Sequence, residues 1–255
     1  EFYEMMLDES MSYSCGIFEN ENSTLYESQI LKLEKICKDL DIQPGDHILE
    51  IGCGWGSFAE IAATKYDCKV TGVTISRKQY EYATKRIRNL KLEDKVIIQF
   101  KDYRDIEGEF DKVVSIEMIE AIGHENYQNY FEKIDQFLKP DGVAVIQAIT
   151  CPDSRYNSFK GGVDFIQKHI FPGALLPSVS AMVDTCSKFT NLHLYNLRDI
   201  GLDYAKTLYI WRSKFEGNLN FVNELGLDEW FVRKWRYYLC YCEAAFLERN
   251  ISDIQ

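Results

Sequence analysis

The sequence lacks a membrane-spanning segment, a metal-binding motif and an excess of positive charge. None of its apolar runs reaches the roughly 20 residues that cross a bilayer, and no stretch has the pattern of a signal peptide. The eight cysteines include no C-x-x-C pair and the four histidines no H-E-x-x-H pattern, so we expect reduced thiols in the cytoplasm and no metal site. The net charge of −11 argues against nucleic acid as a partner and against a broad basic surface for anionic lipid.

The composition is that of a globular protein with many aromatic side chains. The chain has 255 residues, of which 46% are hydrophobic and 27% are charged. This suits one α/β domain or a domain with a large insertion. The aromatic content of 14% fits a protein with a large apolar cavity, and it also fits a well-filled core.

The segment 47–58, HILEIGCGWGSF, combines an apolar strand, a glycine turn and the start of a helix. Glycine lets the backbone turn sharply and lie against a ligand, and the amides that open the next helix face that ligand. Glu50 directly precedes the glycines and can meet a polar or cationic ligand group. The pattern predicts a nucleotide-like cofactor at the carboxyl end of the first strand, beside the turn that contains Gly52, Gly54 and Gly56.

Two classes of cofactor are bound by such a turn. The dinucleotide fingerprint is G-x-G-x-x-G/A, with an acidic residue about 20 positions further on. Here the spacing is G-x-G-x-G, Ser57 stands where the last small residue would be, and the next strand ends at Thr74 instead of Asp or Glu. These differences favour S-adenosylmethionine (SAM) over a dinucleotide, and a glycine turn without a ligand is the remaining alternative.

Up to residue 150, strands alternate with helices, which is typical of a doubly wound parallel sheet. A first helix is predicted from an N-cap at Ser23 to Leu40. Further helices are predicted at 57–66, 76–90 and 126–138, and strands at 47–52, 69–74, 95–100, 111–116 and, after a turn at 139–142, 143–149. Ligands bind at the carboxyl ends of such strands, and the candidates there are Thr74, Asp102, Tyr103, 115–120 and 147–150.

The alternation breaks after residue 150. Segment 151–178 holds three of the five prolines and a cluster of apolar residues, so it is interpreted either as a cover for the substrate over the carboxyl edge or as a surface excursion. A helix at 179–189, a strand at 192–199 and aromatic helices from 203 to 248 follow. The single domain is therefore divided into an N-terminal lid and helix (1–43), a cofactor-binding core (44–150), and a cover with C-terminal helices (151–255).

Several further motifs occur along the chain: MSYSCGIF (11–18), ILEIGCGWGSFA (48–59), SIEMIEAIG (115–123), LKPDG (138–142), FIQKHIFPGALLPS (165–178) and IGLDYAKTL (200–208). Together they resemble the cyclopropane-fatty-acyl-phospholipid synthase family. The glycine motif alone indicates only a methyltransferase, whereas the segments around YSC and FPG are more specific. Ala121 and Gln147 stand where better-known bacterial members have His, so the chain resembles the branch with Glu-Ala-Ile-Gly and Gln. The motifs occur in the family's order and cover nearly the whole chain.

The resemblance implies a mostly parallel, seven-stranded SAM-dependent methyltransferase sheet with a helical, aromatic-rich cover. It implies transfer of a methyl group from SAM to a cis double bond in an acyl chain of a membrane phospholipid. The resulting carbocation then loses a proton and closes to a cyclopropane. In the family a bound bicarbonate takes that proton, and its binders in this sequence would be Cys15, Glu120, Gln147, Ile149 and Tyr204.

The resemblance also implies which residues bind the cofactor. Thr74 and Gln79 would contact the ribose, and Asp102 and Tyr103 would lie beside the adenine. The complete set predicted for SAM is Tyr13, Ser14, Glu50, Gly52, Gly54, Thr74, Gln79, Asp102, Tyr103 and Ser115.

Three functions stay open at this stage. The first is an enzyme that forms a cyclopropane on an unsaturated phospholipid. Close variants of this enzyme form a methylene product, or a methyl-branched product with the help of a companion reductase. The others are an amine N-methyltransferase and a non-catalytic SAM-binding partner. We expect peripheral membrane contact from the cytoplasm and a homodimer. The family's additional N-terminal region is not in the sequence and its closing strand would begin near Gln255, so we also expect a trimmed chain whose last strand is missing.

Overall fold

The structure is a computed structural model that describes residues 1–255. It contains six strands, β1 (His47–Ile51), β2 (Lys69–Thr74), β3 (Val96–Phe100), β4 (Phe110–Ile116), β5 (Leu138–Thr150) and β6 (Ser252–Ile254). They form one sheet in the order β3-β2-β1-β4-β5-β6, in which the first five strands are parallel and β6 is antiparallel to β5. The predicted doubly wound parallel sheet is confirmed. The strand order reverses between β1 and β4, where proteins of this class bind ligands.

Eleven α-helices surround the sheet, and none combines the length and apolar character that crossing a membrane would need. The helices predicted at 57–66, 76–90, 126–138 and 179–189 are confirmed to within one residue at each end. The helices are α1 (Phe2–Met6), α2 (Leu25–Asp39), α3 (Ser57–Lys65), α4 (Arg77–Asn89), α5 (Tyr127–Phe137), α6 (Tyr156–Gly161), α7 (Phe165–His169), α8 (Val179–Phe189), α9 (Gly201–Gly217), α10 (Leu219–Glu224) and α11 (Glu229–Leu247).

The strand predicted at 192–199 is wrong. Its backbone makes only an isolated bridge between Asp199 and Ile254, and the side chain of Tyr195 is 95% exposed. A strand needs a neighbour to complete its hydrogen bonds. The neighbour here is β6, which spans only Ser252–Ile254 and pairs on its free edge with residues 198–200 alone. The rest of the predicted strand has no neighbour to pair with.

The turn predicted at 139–142 lies inside β5, so this prediction is wrong as well. Asp141 has a positive φ of 65°, and the pairing between β4 and β5 shifts between Phe110 and Lys112. A bulge of this kind accommodates extra residues within a strand. The six strands are consistent with the predicted seven-stranded sheet that lacks one strand.

Buried side chains form three clusters, two of which fill the faces of the sheet. One face packs α2 and α3 against β1, and the other packs α5 against β4. The third cluster joins the N-terminal segment to α9 and α11 and includes Met6, Cys15, Tyr204, Trp211 and Trp235. Because it holds both Cys15 and Tyr204, this third cluster brings the ends of the chain to the candidate site.

Helix α2 begins one residue later than predicted, because Thr24 and not Ser23 is its N-cap. The Thr24 side chain accepts a hydrogen bond from the Glu27 amide, and the Glu27 carboxylate accepts one from the Thr24 amide, which forms a capping box. We expect Thr24→Ala to lower the free energy of unfolding by about 1 kcal/mol because an amide at the helix start loses its partner. Urea unfolding would measure it, with Ser23→Ala as the control, and an equal loss in both variants would contradict the assignment.

Candidate active site

The glycine turn after β1 adopts a conformation that only glycine accepts easily. Gly52 and Gly54 have φ values of 79° and 51°, in the left-handed region. A Cβ on Gly52 would lie 2.9 Å from the Met118 side chain, whereas a Cβ on Gly54 would meet nothing within 4 Å. The backbone at Gly54 is thus open to close approach by a ligand, as the sequence predicted for a cofactor turn.

Glu50, at the end of β1, has a buried carboxyl group with one oxygen, Oε2, that lacks a hydrogen-bond partner. Burial raises its pKa to about 8, and the nearby cation of Lys32 partly opposes this shift. A buried, unpartnered carboxyl oxygen at a glycine turn suits a ligand with hydrogen-bond donors or positive charge.

The other predicted cofactor residues lie at the carboxyl ends of β2, β3 and β4. The Thr74 hydroxyl donates to Gln79 Oε1 over 2.8 Å. Asp102 accepts two hydrogen bonds from the guanidinium of Arg104, which lowers the pKa of Asp102. Ser115 is fully buried and its hydroxyl has no partner. Tyr103, after β3, packs edge-on against Tyr130 on α5, with ring centroids 5.8 Å apart.

The N-terminal segment crosses the same edge of the sheet. The Ser12 hydroxyl lies 3.1 Å from that of Ser57 at the start of α3. The Ser14 hydroxyl accepts from Lys32 Nζ over 2.7 Å, and Tyr13 shares a hydrogen bond of 2.9 Å with Tyr238. Tyr13 therefore lies in the aromatic layer of the cover, while Ser14 lies in a polar layer beneath it.

Glu117 is the centre of the residues predicted to bind an anion. Its Oε1 accepts hydrogen bonds from the Cys15 amide and from Gln147 Nε2, both over 2.8 Å. Its Oε2 accepts one from the Tyr204 hydroxyl over 2.7 Å. The structure thus brings Cys15, Gln147 and Tyr204 together, but around a carboxylate of the protein itself.

The other two predicted anion binders, Glu120 and Ile149, contact each other. The Ile149 amide donates to Glu120 Oε1 over 2.5 Å, while the buried Oε2 has no partner. Burial, followed by the charge of Glu117, raises the pKa of Glu120 to about 8. Glu120 is therefore largely a neutral acid at pH 7.

Sequence reasoning did not single out Glu117, Asp253 or Lys32. Gln147 Nε2 donates to Asp253 Oδ2 over 2.8 Å as well as to Glu117. The side-chain amide of Gln147 therefore links the carboxyl groups of Glu117 and Asp253. Burial and the charges of Glu117 and Glu120 raise the pKa of Asp253 well above its usual range. We call Glu117, Glu120 and Asp253 the acid cluster. Glu117 lies in the predicted 115–120 stretch, while nothing in the sequence pointed to Asp253 on β6 or Lys32 on α2.

Aromatic rings line the site on the side of the cover. Tyr204 stacks on Phe246 with centroids 4.5 Å apart and meets Trp211 edge-on at 6.1 Å. Tyr13 stacks on Trp211 at 5.2 Å. Phe171 lies 6.5 Å from Tyr13. Such faces exclude water and interact favourably with positive charge.

Residues 1–255 match the model of the family described as mycolic acid cyclopropane synthetase. The chain belongs to the mycolic acid cyclopropane synthetase family. The predicted resemblance to cyclopropane synthases is thereby confirmed, since enzymes with that name are among the relatives described next.

Two relatives and one solved structure illustrate this family. The chain is 37% identical to tuberculostearic acid methyltransferase UfaA1 of Mycobacterium tuberculosis, over 96% of this chain and 59% of the relative. It is 36% identical to cyclopropane-fatty-acyl-phospholipid synthase of Escherichia coli K12, over 99% of this chain and 63% of the relative. The chain thus spans about three-fifths of these relatives.

A solved structure of mycolic acid cyclopropane synthase CmaA1, in complex with SAH and CTAB, superimposes with a TM-score of 0.92. It is 29% identical to this chain, and the match covers 100% of this chain and 92% of that one. The predicted methyltransferase fold is therefore confirmed for this family member, whereas the roles of its individual site residues stay predictions.

Proposed function

We propose that the chain catalyses SAM-dependent transfer of a methyl group to the cis double bond of an unsaturated phospholipid acyl chain, with closure to a cyclopropane. The observation that carries the proposal is the buried acid cluster, which faces the aromatic rings of the cover, here called the aromatic walls, at the carboxyl end of the sheet. Such a site offers a proton acceptor within an environment that tolerates a cation. The names of two relatives, a cyclopropane-fatty-acyl-phospholipid synthase and a tuberculostearic acid methyltransferase, support a lipid as the substrate.

The residues of the glycine turn fit SAM. The open backbone at Gly54 allows close approach, and the unpartnered oxygen of Glu50 can accept from a donor group. We propose that these residues hold SAM together with Gly52, Tyr13, Ser14, Thr74, Gln79, Asp102, Tyr103 and Ser115. When bound, SAM supplies an electrophilic methyl group. The chain's own contribution is to fix the acyl double bond in line with that group, since an alkene is a weak nucleophile.

The aromatic walls and the acid cluster would act on the acyl chain after methylation. The π electrons of the double bond would form the new C–C bond to the methyl carbon while the bond from that carbon to sulfur breaks and its electrons leave with S-adenosylhomocysteine. This leaves a positive charge on the other alkene carbon. The rings of Tyr204 and Trp211 can stabilise this charge and exclude water, which would otherwise trap it. A proton acceptor in the acid cluster then completes ring closure. Bicarbonate bound by Cys15, Glu120, Gln147, Ile149 and Tyr204, as the family resemblance implies, is one candidate for this role.

The cover presents apolar side chains that support peripheral contact with a membrane. Val163, Trp230 and Tyr237 are 77%, 60% and 51% exposed. Tyr237 on α11 packs against Phe165 on α7, with ring centroids 4.4 Å apart, so the exposed side chains lie on connected elements of the cover. We propose that this face meets the cytoplasmic membrane surface, from which the acyl chain enters. A homodimer, and a companion reductase for a methyl-branched product, stay predictions.

The test is to incubate the full-length protein with SAM and liposomes of monounsaturated phospholipid. We expect gas chromatography and mass spectrometry to show acyl chains that gain one CH2 and resist hydrogenation, because a cyclopropane lacks a double bond. A mass gain without that resistance would indicate a methylene product instead. SAM binding without any modified lipid would contradict the proposal and favour an amine substrate or a non-catalytic role.

A further inference from the structure

The carboxylate of Glu117 occupies the set of donors that the family resemblance assigns to bicarbonate. The Cys15 amide, Gln147 Nε2 and the Tyr204 hydroxyl all donate to it, at 2.8, 2.8 and 2.7 Å. Carboxylate and bicarbonate are both planar anions with two neighbouring acceptor oxygens. Because the same three donors cannot serve both anions at once, a bound bicarbonate would have to displace Glu117 from well-formed hydrogen bonds.

The backbone of Glu117 is held in a conformation that a glutamate adopts only at a cost. Its φ is 48°, in the left-handed region that glycine adopts without steric cost. Residues forced into this region are concentrated at functional sites, where the surroundings hold them in place. Here the Glu117 amide donates to the Gln147 carbonyl over 2.8 Å, and the three donors fix the side chain. This backbone conformation directs the Glu117 carboxylate toward the aromatic walls.

The surroundings also favour the ionised form of Glu117 over that of its acidic neighbours. All three partners are donors, and the positive charge of the buried Lys32 also stabilises the carboxylate. Asp253 Oδ1 has no donor, and burial and the charge of Glu117 disfavour the ionised form of Asp253, so Asp253 takes up a proton more readily than Glu117. Burial still raises the pKa of Glu117 above that of an exposed glutamate, which makes it a stronger base.

We propose that Glu117 is the proton acceptor of the reaction and that this protein works without bicarbonate. The proposal rests on the proposed function, because it needs a methylated acyl cation. The Glu117 carboxylate takes a proton from the added methyl carbon. The electrons of that C–H bond form the second C–C bond to the cationic carbon and close the ring. The positive charge of the acyl chain disappears and Glu117 becomes a neutral acid.

Two substitutions of Glu117 separate its roles. Glu117→Gln keeps the shape but cannot accept the proton, and we expect product formation to fall by about 10²- to 10⁴-fold, with or without bicarbonate. Glu117→Gly removes the side chain, relieves the backbone and frees the three donors. We expect it to be as inactive as the Gln variant in CO2-free buffer and to regain activity when millimolar bicarbonate is added.

Three controls accompany these assays. The wild type should be equally active in CO2-free buffer and with bicarbonate. Lys91→Gly replaces an exposed residue that also has a positive φ, 57°, and should leave activity unchanged. Calorimetric titration with SAM should give wild-type affinity for both Glu117 variants, which shows that they are folded.

A binding measurement tests the same idea without turnover. We expect ¹³C NMR to detect bound ¹³C-bicarbonate in Glu117→Gly and not in the wild type. Wild-type activity that requires bicarbonate, bicarbonate binding by the wild type, or full activity of Glu117→Gln would each overturn the proposal. If the wild type modifies no lipid under any condition, it is the proposed function that fails, and the NMR result still decides whether Glu117 fills the anion site.

Discussion

Replacing Glu120 with Gln should lower the rate of lipid modification by about 10²- to 10³-fold while SAM binding stays near that of the wild type. Glu120 lies beside Glu117, has one unpartnered oxygen, and has a pKa of about 8 because of burial and the Glu117 charge. Once Glu117 has taken a proton, that charge is gone and the pKa of Glu120 falls. Glu120 can then release its own proton to water once the product has left the site, and accept the proton on Glu117, which restores the base. Gln cannot carry a proton in this way.

The pH profile distinguishes this relay from a merely structural role. A relay must lose its proton in each cycle, so the wild-type rate should fall at low pH. The midpoint should lie below pH 8, because the Glu117 charge that helps to raise the pKa of Glu120 is absent at that step. The rate of Glu120→Gln should be flat over the same range. Glu125→Gln, the same change at an exposed position five residues away, serves as the control. Unchanged turnover in Glu120→Gln would remove Glu120 from the catalytic machinery.

Glu50 should make the ligand-free protein less stable as the pH rises. Its pKa rises from 4.5 to about 8 on burial, so the folded state keeps a proton that the unfolded state loses. The stabilisation is fully present below pH 4.5 and is lost as the pH rises to about 8. The shift corresponds to about 3–5 kcal/mol. Glu50→Gln stays neutral, so it should be more stable than the wild type at pH 8 by several kcal/mol and similar to it at pH 4.5.

Urea unfolding at several pH values in the absence of SAM would measure this difference. The exposed Glu93→Gln should follow the wild type at every pH. Because Glu50 is a predicted SAM contact, the stabilised variant should also bind SAM more weakly, as expected when a destabilising charge is kept for function. A stability difference that does not change with pH would show that Glu50 is ionised in the folded protein.

The architecture could be predicted from the sequence because it depends on local patterns. The glycine turn, the alternating strands and helices up to residue 150, and helix α8 follow from periodicity and from residues with special backbone freedom. The strand at 192–199 could not be decided in this way. Whether this segment forms a strand depends on its neighbour β6, which lies far away in sequence and is so short that it leaves only an isolated bridge to Asp199.

The acid cluster shows the limit of the sequence at the site. Cys15, Gln147 and Tyr204 were predicted from motifs, and the structure brings them together. The motif that contains Glu117 was visible too, but its side-chain direction depends on the positive φ of its backbone. Asp253 reaches the site only because β6 pairs with β5, a contact between positions about a hundred residues apart.

The pairing of β6 with β5 also determines when the site can form. The acid cluster and its donors come from positions as far apart as Cys15 and Asp253, joined through Gln147. Contacts this distant in sequence form late, because long loops must close first. During synthesis the chain up to α9 can already build most of the parallel sheet, but it lacks Asp253. The arrangement of acids and donors is therefore complete only once the last elements have docked, so that a partly folded chain carries a cofactor turn without a finished acid cluster.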